Sequence, residues 1–291
     1  MASKEQKPAE GAKVDPSVVW QGSDRNFRIA RRVALDWGAG LIAAFTASPI
    51  IMAVDKAVVE ATSGSKGVFQ SFFGTLKHAV RNPLIFLRSR EFLWIFAVYG
   101  STYMAANSID SVCKITETND VIPKLIGVTA VNMTASILKD RAFAYYFGRQ
   151  VNNRVGLISY AFWLLRDVLT MAAAFVIPSR ASKYLQENRG MDKSSADKIS
   201  LVSFPILFQV FLSPVHMLGY DFYNFKDRTF RERIDFLQPK YISTVGIRML
   251  RMGAAYGIGG VNNRSLRDKF MTHFEGSDWD KSYPHTKHPR T

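Results

Sequence analysis

VALDWGAGLIAAFTASPIIMAV, from Val33 to Val54, runs for 22 residues with a single charge, Asp36. As a helix rising about 1.5 Å per residue it reaches about 33 Å, enough to cross a hydrocarbon core of about 30 Å. Trp20, Phe27, Arg31, Arg32 and Trp37 crowd its start, where aromatic and basic side chains suit a membrane interface. Five further apolar segments follow, Glu91 to Val112, Ile122 to Phe147, Arg154 to Leu185, Lys198 to Phe225 and Tyr241 to Asn262, each broken by isolated charges. Such charges are costly against lipid, so they are expected to face a bundle interior or an aqueous cavity. The pattern predicts an all-α protein of six transmembrane helices. A soluble protein with buried helices is the alternative.

Small residues recur at helical spacing. Ala39, Ala43 and Ala47 lie every fourth residue, as do Gly253 and Gly257, which predicts faces where backbones approach closely. The segments also repeat. Gly40 stands nine residues before Pro49, Gly127 nine before Ser136, and Pro205 nine before Pro214, and these pairs recur every 80 residues or so. Three helix pairs follow, residues 31–113, 120–187 and 197–268, between a polar flexible segment 1–30 and a polar tail 269–291. Pro49, Ser136 and Pro214 mark the expected kink in the first helix of each pair, because an internal proline removes a helical hydrogen bond.

Composition narrows the function. The 38 Lys and Arg against 24 Asp and Glu give a net charge of +14, which favours an anionic partner. Nucleic acid is not expected, since the aromatics lie inside apolar runs and not among the basic residues. A lone Cys113 excludes an intrachain disulfide and a cysteine zinc cluster, and the scattered histidines offer no metal spacing. No cofactor or metal is expected. No Gly-x-Ser-x-Gly, His-Glu-x-x-His or paired-acid constellation occurs, so no enzyme is predicted. The N-terminal region mixes acids with bases and has no apolar core, so neither a signal peptide nor a cleaved presequence is expected. The expected partners are membrane lipid and a small anionic or zwitterionic solute, with protein partners left open.

Three helix pairs with a break in each first helix resemble the mitochondrial carrier superfamily over residues 31–268. That resemblance implies a three-repeat, mitochondrial-carrier-like bundle with a Pro-x-(Asp/Glu)-x-x-(Lys/Arg) gate motif on the odd helices. Here the charged positions hold Ile51 and Val54, Leu138 and Arg141, and His216 and Gly219, so only Arg141 matches. The charges nearby make Asp55, Lys56, Arg141 and Asp221 the gate candidates, with Lys139 and Asp140 beside them. Leu164-Leu165-Arg166-Asp167-Val168 resembles the family's fourth-helix substrate region, and Arg251 a sixth-helix contact. Tyr103 and Asn107 are the polar candidates on the second helix. A guanidinium there clamps a carboxylate while an aspartate accepts from an amino group. Arg166 and Asp167 read equally as a local ion pair, and Arg248 as a side chain that snorkels to an interface.

Phe69, Phe72, Phe73, Leu76 and Val80 form an amphipathic stripe opposite Lys77, His78 and Arg81, suited to acidic lipid such as cardiolipin. Connectors in the second and third pairs, residues 148–153 and 225–239, are shorter. The resemblance implies transport of a small carboxylate or amino-acid-like solute across the mitochondrial inner membrane. The degenerate gate motifs suggest the alternative, a non-transporting adaptor or scaffold in the outer membrane.

Overall fold

In a computed structural model the described residues are 22–149 and 154–276, and their regular structure is helical throughout. Helix α1, Gly22–Ser63, carries the long apolar run. Next come α2, Val68–Arg81, the short α3, Pro83–Leu87, and α4, Arg90–Ile115. Then α5, Val121–Phe147, is followed by α6, Leu157–Met171, which passes through a π-helical turn, Ala172–Val176, into α7, Ile177–Arg189. Helices α8, Lys193–Leu207, and α9, Gln209–Asn224, meet at Phe208. The described structure closes with one rod made of α10, Phe230–Met252, a π-helical stretch, Gly253–Gly260, and α11, Val261–Glu275. That rod continues past the expected start of the polar tail. The segment 1–21 and the residues after 276 lie outside the described structure, as does most of the expected second connector.

The long helices close a ring in chain order. Helix α1 packs on α4, α4 on α5, α5 on α6, α6 on α9, α9 on α10, and the final rod returns to α1. Ala39, Ala43 and Ala47 are fully buried, as the four-residue spacing of small side chains requires for close approach. Gly253 and Gly257 do not repeat that pattern: a Cβ at either would meet open space, and both lie in the π-helical stretch. The close approaches use other glycines. A Cβ on Gly219 would fall 2.6 Å from the Trp163 ring, whose side chain is fully buried and has no room to yield. Gly219→Ala is therefore expected to lower stability by about 1–3 kcal/mol, a melting-temperature fall readable in detergent. Unchanged melting would show that α6 and α9 are not packed this tightly.

Among the described residues, four helical stretches are long and apolar enough to cross a membrane: Ile29–Ser63, Val121–Phe147, Leu157–Ala174 and Ser195–Asn224. The sequence suggested six, arranged as three repeats, and the described structure does not bear that arrangement out. Helix α4 falls short because Tyr99, Ser101, Thr102, Tyr103 and Asn107 dilute its apolar run, and α10 because basic side chains interrupt it. The predicted kinks also differ from one another. Pro49 sits within an uninterrupted α1, where Thr46 and Ser48 hydroxyls donate to the carbonyls of Ala43 and Ala44 at 2.8 and 2.6 Å. Ser136 lies in an uninterrupted α5, and only the third site has a break, at Phe208 between Pro205 and Pro214.

Helix α2 is amphipathic as expected, with its apolar stripe divided between two surroundings. Phe72 is buried against the bundle, whereas Phe69, Phe73 and Val80 are exposed. Thr229 and Glu232 cap α10 reciprocally, and the Thr229 amide, donating to the Glu232 carboxylate, holds that group below the usual carboxylate range. The third connector is thereby absorbed into the start of a long helix.

Candidate functional site

Charged side chains at the centre of the ring come from helices that are otherwise apolar, and they satisfy one another. Lys139 of α5 reaches Asp55 of α1 at 2.7 Å and its neighbour Asp140 at 2.6 Å. Arg166 of α6 pairs with Asp140 and, through Nε, with Asp167 at 3.1 Å. Arg251 of α10 pairs with Asp55 at 2.8 Å and lies over the Tyr99 ring of α4. Tyr220 of α9 donates to Asp140 at 2.9 Å. Each of these ionic side chains is 8% exposed or less. Every long helix of the ring therefore supplies a group to one buried cluster.

Arg248 completes the cluster without a carboxylate. Its Nε donates to Gln209 Oε1 at 3.1 Å and its Nη1 to His216 Nδ1. An imidazole nitrogen that accepts from a guanidinium carries no proton, so His216 is neutral, with Nε2 turned toward Asp140 at 3.5 Å. The cluster thus holds four cations, Lys139, Arg166, Arg248 and Arg251, against three carboxylates, Asp55, Asp140 and Asp167.

A second network ties the other end of the bundle. Arg267 of α11 reaches Asp36 of α1 at 2.6 Å and Asp110 of α4 at 2.5 Å, and Lys124 of α5 reaches Asp110 at 2.9 Å. Asn107 and Asn263 exchange hydrogen bonds at 2.8 and 2.9 Å beside it. Asp36 and Asp55 both belong to α1, about 28 Å apart by helical rise.

The residues singled out in the sequence divide among these places. Arg166, Asp167 and Arg251 come together in the central cluster, joined by the gate candidate Asp55. Tyr103 instead donates to the Ala255 carbonyl at 2.8 Å, and Asn107 belongs to the second network. The other gate candidates do not meet. Lys56 lies over the Phe147 ring, and Asp221 pairs with Arg233 and Arg228 at the α9–α10 turn. Arg141 lines a cavity of about 650 Å³ with Arg90, Arg154 and the rings of Trp94, Tyr146 and Tyr160. Arg248 does not snorkel, because its side chain is fully buried. Sequence reasoning missed Gln209, His216 and Arg248 as one group. The available signal was a set of polar residues inside apolar runs, at positions that share a helix face.

A ring of mostly apolar helices around a buried, nearly balanced ion cluster defines a class of polytopic membrane protein with a polar centre. Residues 39–271 match the family described as "probable citrulline exporter", and the chain belongs to that family. No curated protein sequence matches the chain. The match overturns the resemblance to mitochondrial carriers, whose gate motif was already absent at five of its six charged positions. The mitochondrial inner-membrane expectation rested on that resemblance alone and loses its support with it.

Proposed function

We propose that the protein is a multi-pass membrane exporter of citrulline or a closely similar neutral amino acid. The observation that carries this reading is the central cluster, supported by membership of the exporter family. Citrulline is a zwitterion, and its side chain ends in an uncharged ureido group. A site for it needs a cation for the carboxylate, an acceptor for the ammonium and neutral polar groups for the ureido end. The cluster offers each. It has one more cation than carboxylate, and the buried Oδ2 of Asp167 has no hydrogen-bond partner among the described residues. Gln209 and the neutral His216 supply uncharged polar edges.

Access requires movement. The central side chains are almost fully buried, and the Arg267 network joins α1, α4 and α11 at the far end. In the structure described here the cluster is sealed, so export needs at least one state in which part of the ring opens. The pairs that hold it then break and reform, and a bound solute compensates part of their loss.

Efflux of labelled L-citrulline from proteoliposomes tests the reading. Wild-type protein is expected to release it, while Arg166→Ala and Arg251→Ala reduce the rate to near the protein-free background. Size-exclusion profiles show whether each variant remains folded. Folded wild-type protein that moves no amino acid would overturn the proposal and favour a non-transporting adaptor.

A further inference from the structure

Arg166 and Arg251 already have carboxylates; Arg248 does not. Its guanidinium is fully buried, with only two uncharged partners, Gln209 Oε1 and His216 Nδ1, and its Nη2 has no hydrogen-bond partner among the described residues. A buried cation with no carboxylate in direct contact is costly, and Arg248 meets Asp140 only at second hand, through His216. The surrounding hydroxyls share that deficit. Ser213 follows Gln209 by four residues and precedes His216 by three, so it lies on the α9 face that grips Arg248. Thr244 lies one helical turn before Arg248 on α10. The hydroxyls of both are fully buried, and neither has a hydrogen-bond partner among the described residues. Three polar groups without hydrogen-bond partners among the described residues, one of them cationic, therefore lie within one turn of the Gln209–Arg248 and His216–Arg248 contacts along α9 and α10.

We propose that Arg248, with Ser213 and Thr244, docks the carboxylate of the transported amino acid. The inference rests on the export reading and sharpens it. The guanidinium presents a free N–H, and the two hydroxyls donate to the second carboxylate oxygen or its neighbours. Docking gives Arg248 the anionic partner it lacks, while the solute's ammonium turns to the open Oδ2 of Asp167. Arg166 and Arg251 act differently, holding Asp140, Asp167 and Asp55 in place. A solute without a carboxylate leaves Arg248 unpaired and is rejected, because the penalty falls on the buried group that loses its partner.

The test is ligand-induced thermal stabilisation of the purified full-length protein in detergent, read with L-citrulline, L-citrulline amide and acetate. A ligand that binds only the folded state raises the melting temperature. L-citrulline is expected to raise that of the wild type, and the amide, which lacks the carboxylate, is not. Arg248→Gln is expected to melt no lower than wild type, since it removes an unpaired charge, while losing affinity for citrulline by roughly 30-fold or more. A purely structural arginine would instead lower the melting temperature when replaced. Arg248→Lys keeps the charge and is expected to retain a weakened response, which covers failure of the glutamine variant to fold. If citrulline stabilises Arg248→Gln as well as wild type, or the amide works as well as citrulline, the carboxylate assignment is wrong while export can stand. If acetate but not citrulline stabilises wild type, and Arg248→Gln abolishes the effect, the carboxylate site stands and citrulline is the wrong solute. If none of the three stabilises wild type, the assignment is overturned.

Discussion

Replacing Asp140 with alanine is expected to cost about 3–5 kcal/mol and to leave little folded protein after extraction, because it strips two buried cations of their shared partner. Asp140 is the most connected group of the central cluster. It receives Lys139 at 2.6 Å, Arg166, the Tyr220 hydroxyl at 2.9 Å and the nearby His216 edge. The variant changes the count of central charges from four against three to four against two, among side chains that are 8% exposed or less. Asn keeps the shape and loses the charge, so Asp140→Asn should fall between wild type and alanine. Pairing Asp140→Ala with Arg166→Leu should recover part of the loss, since the second change removes a cation that the first left unpaired. Fluorescence-detected size exclusion and melting curves read all three. If Asp140→Ala melts within 2 °C or so of wild type, the cluster is not carrying this charge in the folded state, and the central site is misassigned.

How much of this was legible beforehand depends on the kind of signal. Segment length and hydropathy placed an apolar run on each helix of the ring but missed the ends, since α1 begins at Gly22 and α11 runs to Glu275, inside the segments expected to be polar; the Ala39, Ala43 and Ala47 spacing identified a buried face of α1. Arg166, Asp167 and Arg251 were chosen from a resemblance to carrier substrate regions, and they meet in the central cluster although that resemblance itself fell. Repeat arithmetic served less well. It aligned Pro49, Ser136 and Pro214, yet only the third position lies near a break, because a proline costs a helix one hydrogen bond and α1, packed on its neighbours along its length, runs on through Pro49. A repeat read from spacing also suggested the wrong family.

The gate candidates failed for a geometric reason. Lys56 and Asp55 are adjacent in sequence and so point about 100° apart on a helix, one over Phe147 and the other into the ring. Sequence proximity to a missing motif position says little about facing. Arg248 was misread for the opposite reason. It stands three residues from Arg251, close enough to share its face, but an arginine near the end of an apolar run looks like an interface anchor until its neighbours across the groove are known. Gln209 and His216 lie 39 and 32 residues away in the chain, and no local pattern joins them to it.

Cutting the far network should expose the bundle from that end. Arg267 is held between Asp36 and Asp110 and donates to Ser111 at 2.9 Å, so one side chain fastens α11 to both α1 and α4. Arg267→Met keeps much of the apolar stem and removes the fork, leaving Asp36, fully buried, beside Asp110 without the cation between them. The chain carries its own reporter. Cys113 is its only cysteine, is 6% exposed, and lies three residues from Asp110 on the same face of α4. Wild-type Cys113 is expected to react slowly with a maleimide in proteoliposomes, and Arg267→Met to react roughly tenfold faster or more, because local opening becomes easier as its pairing is lost. If this end opens during transport, L-citrulline should alter the labelling rate of wild type while leaving that of the variant nearly unchanged. Equal labelling in both proteins, with both still folded, would mean that Arg267 does not hold this end closed. The opening needed to reach Arg248 would then lie at the other end of the ring, among the helix termini around the Arg141 cavity.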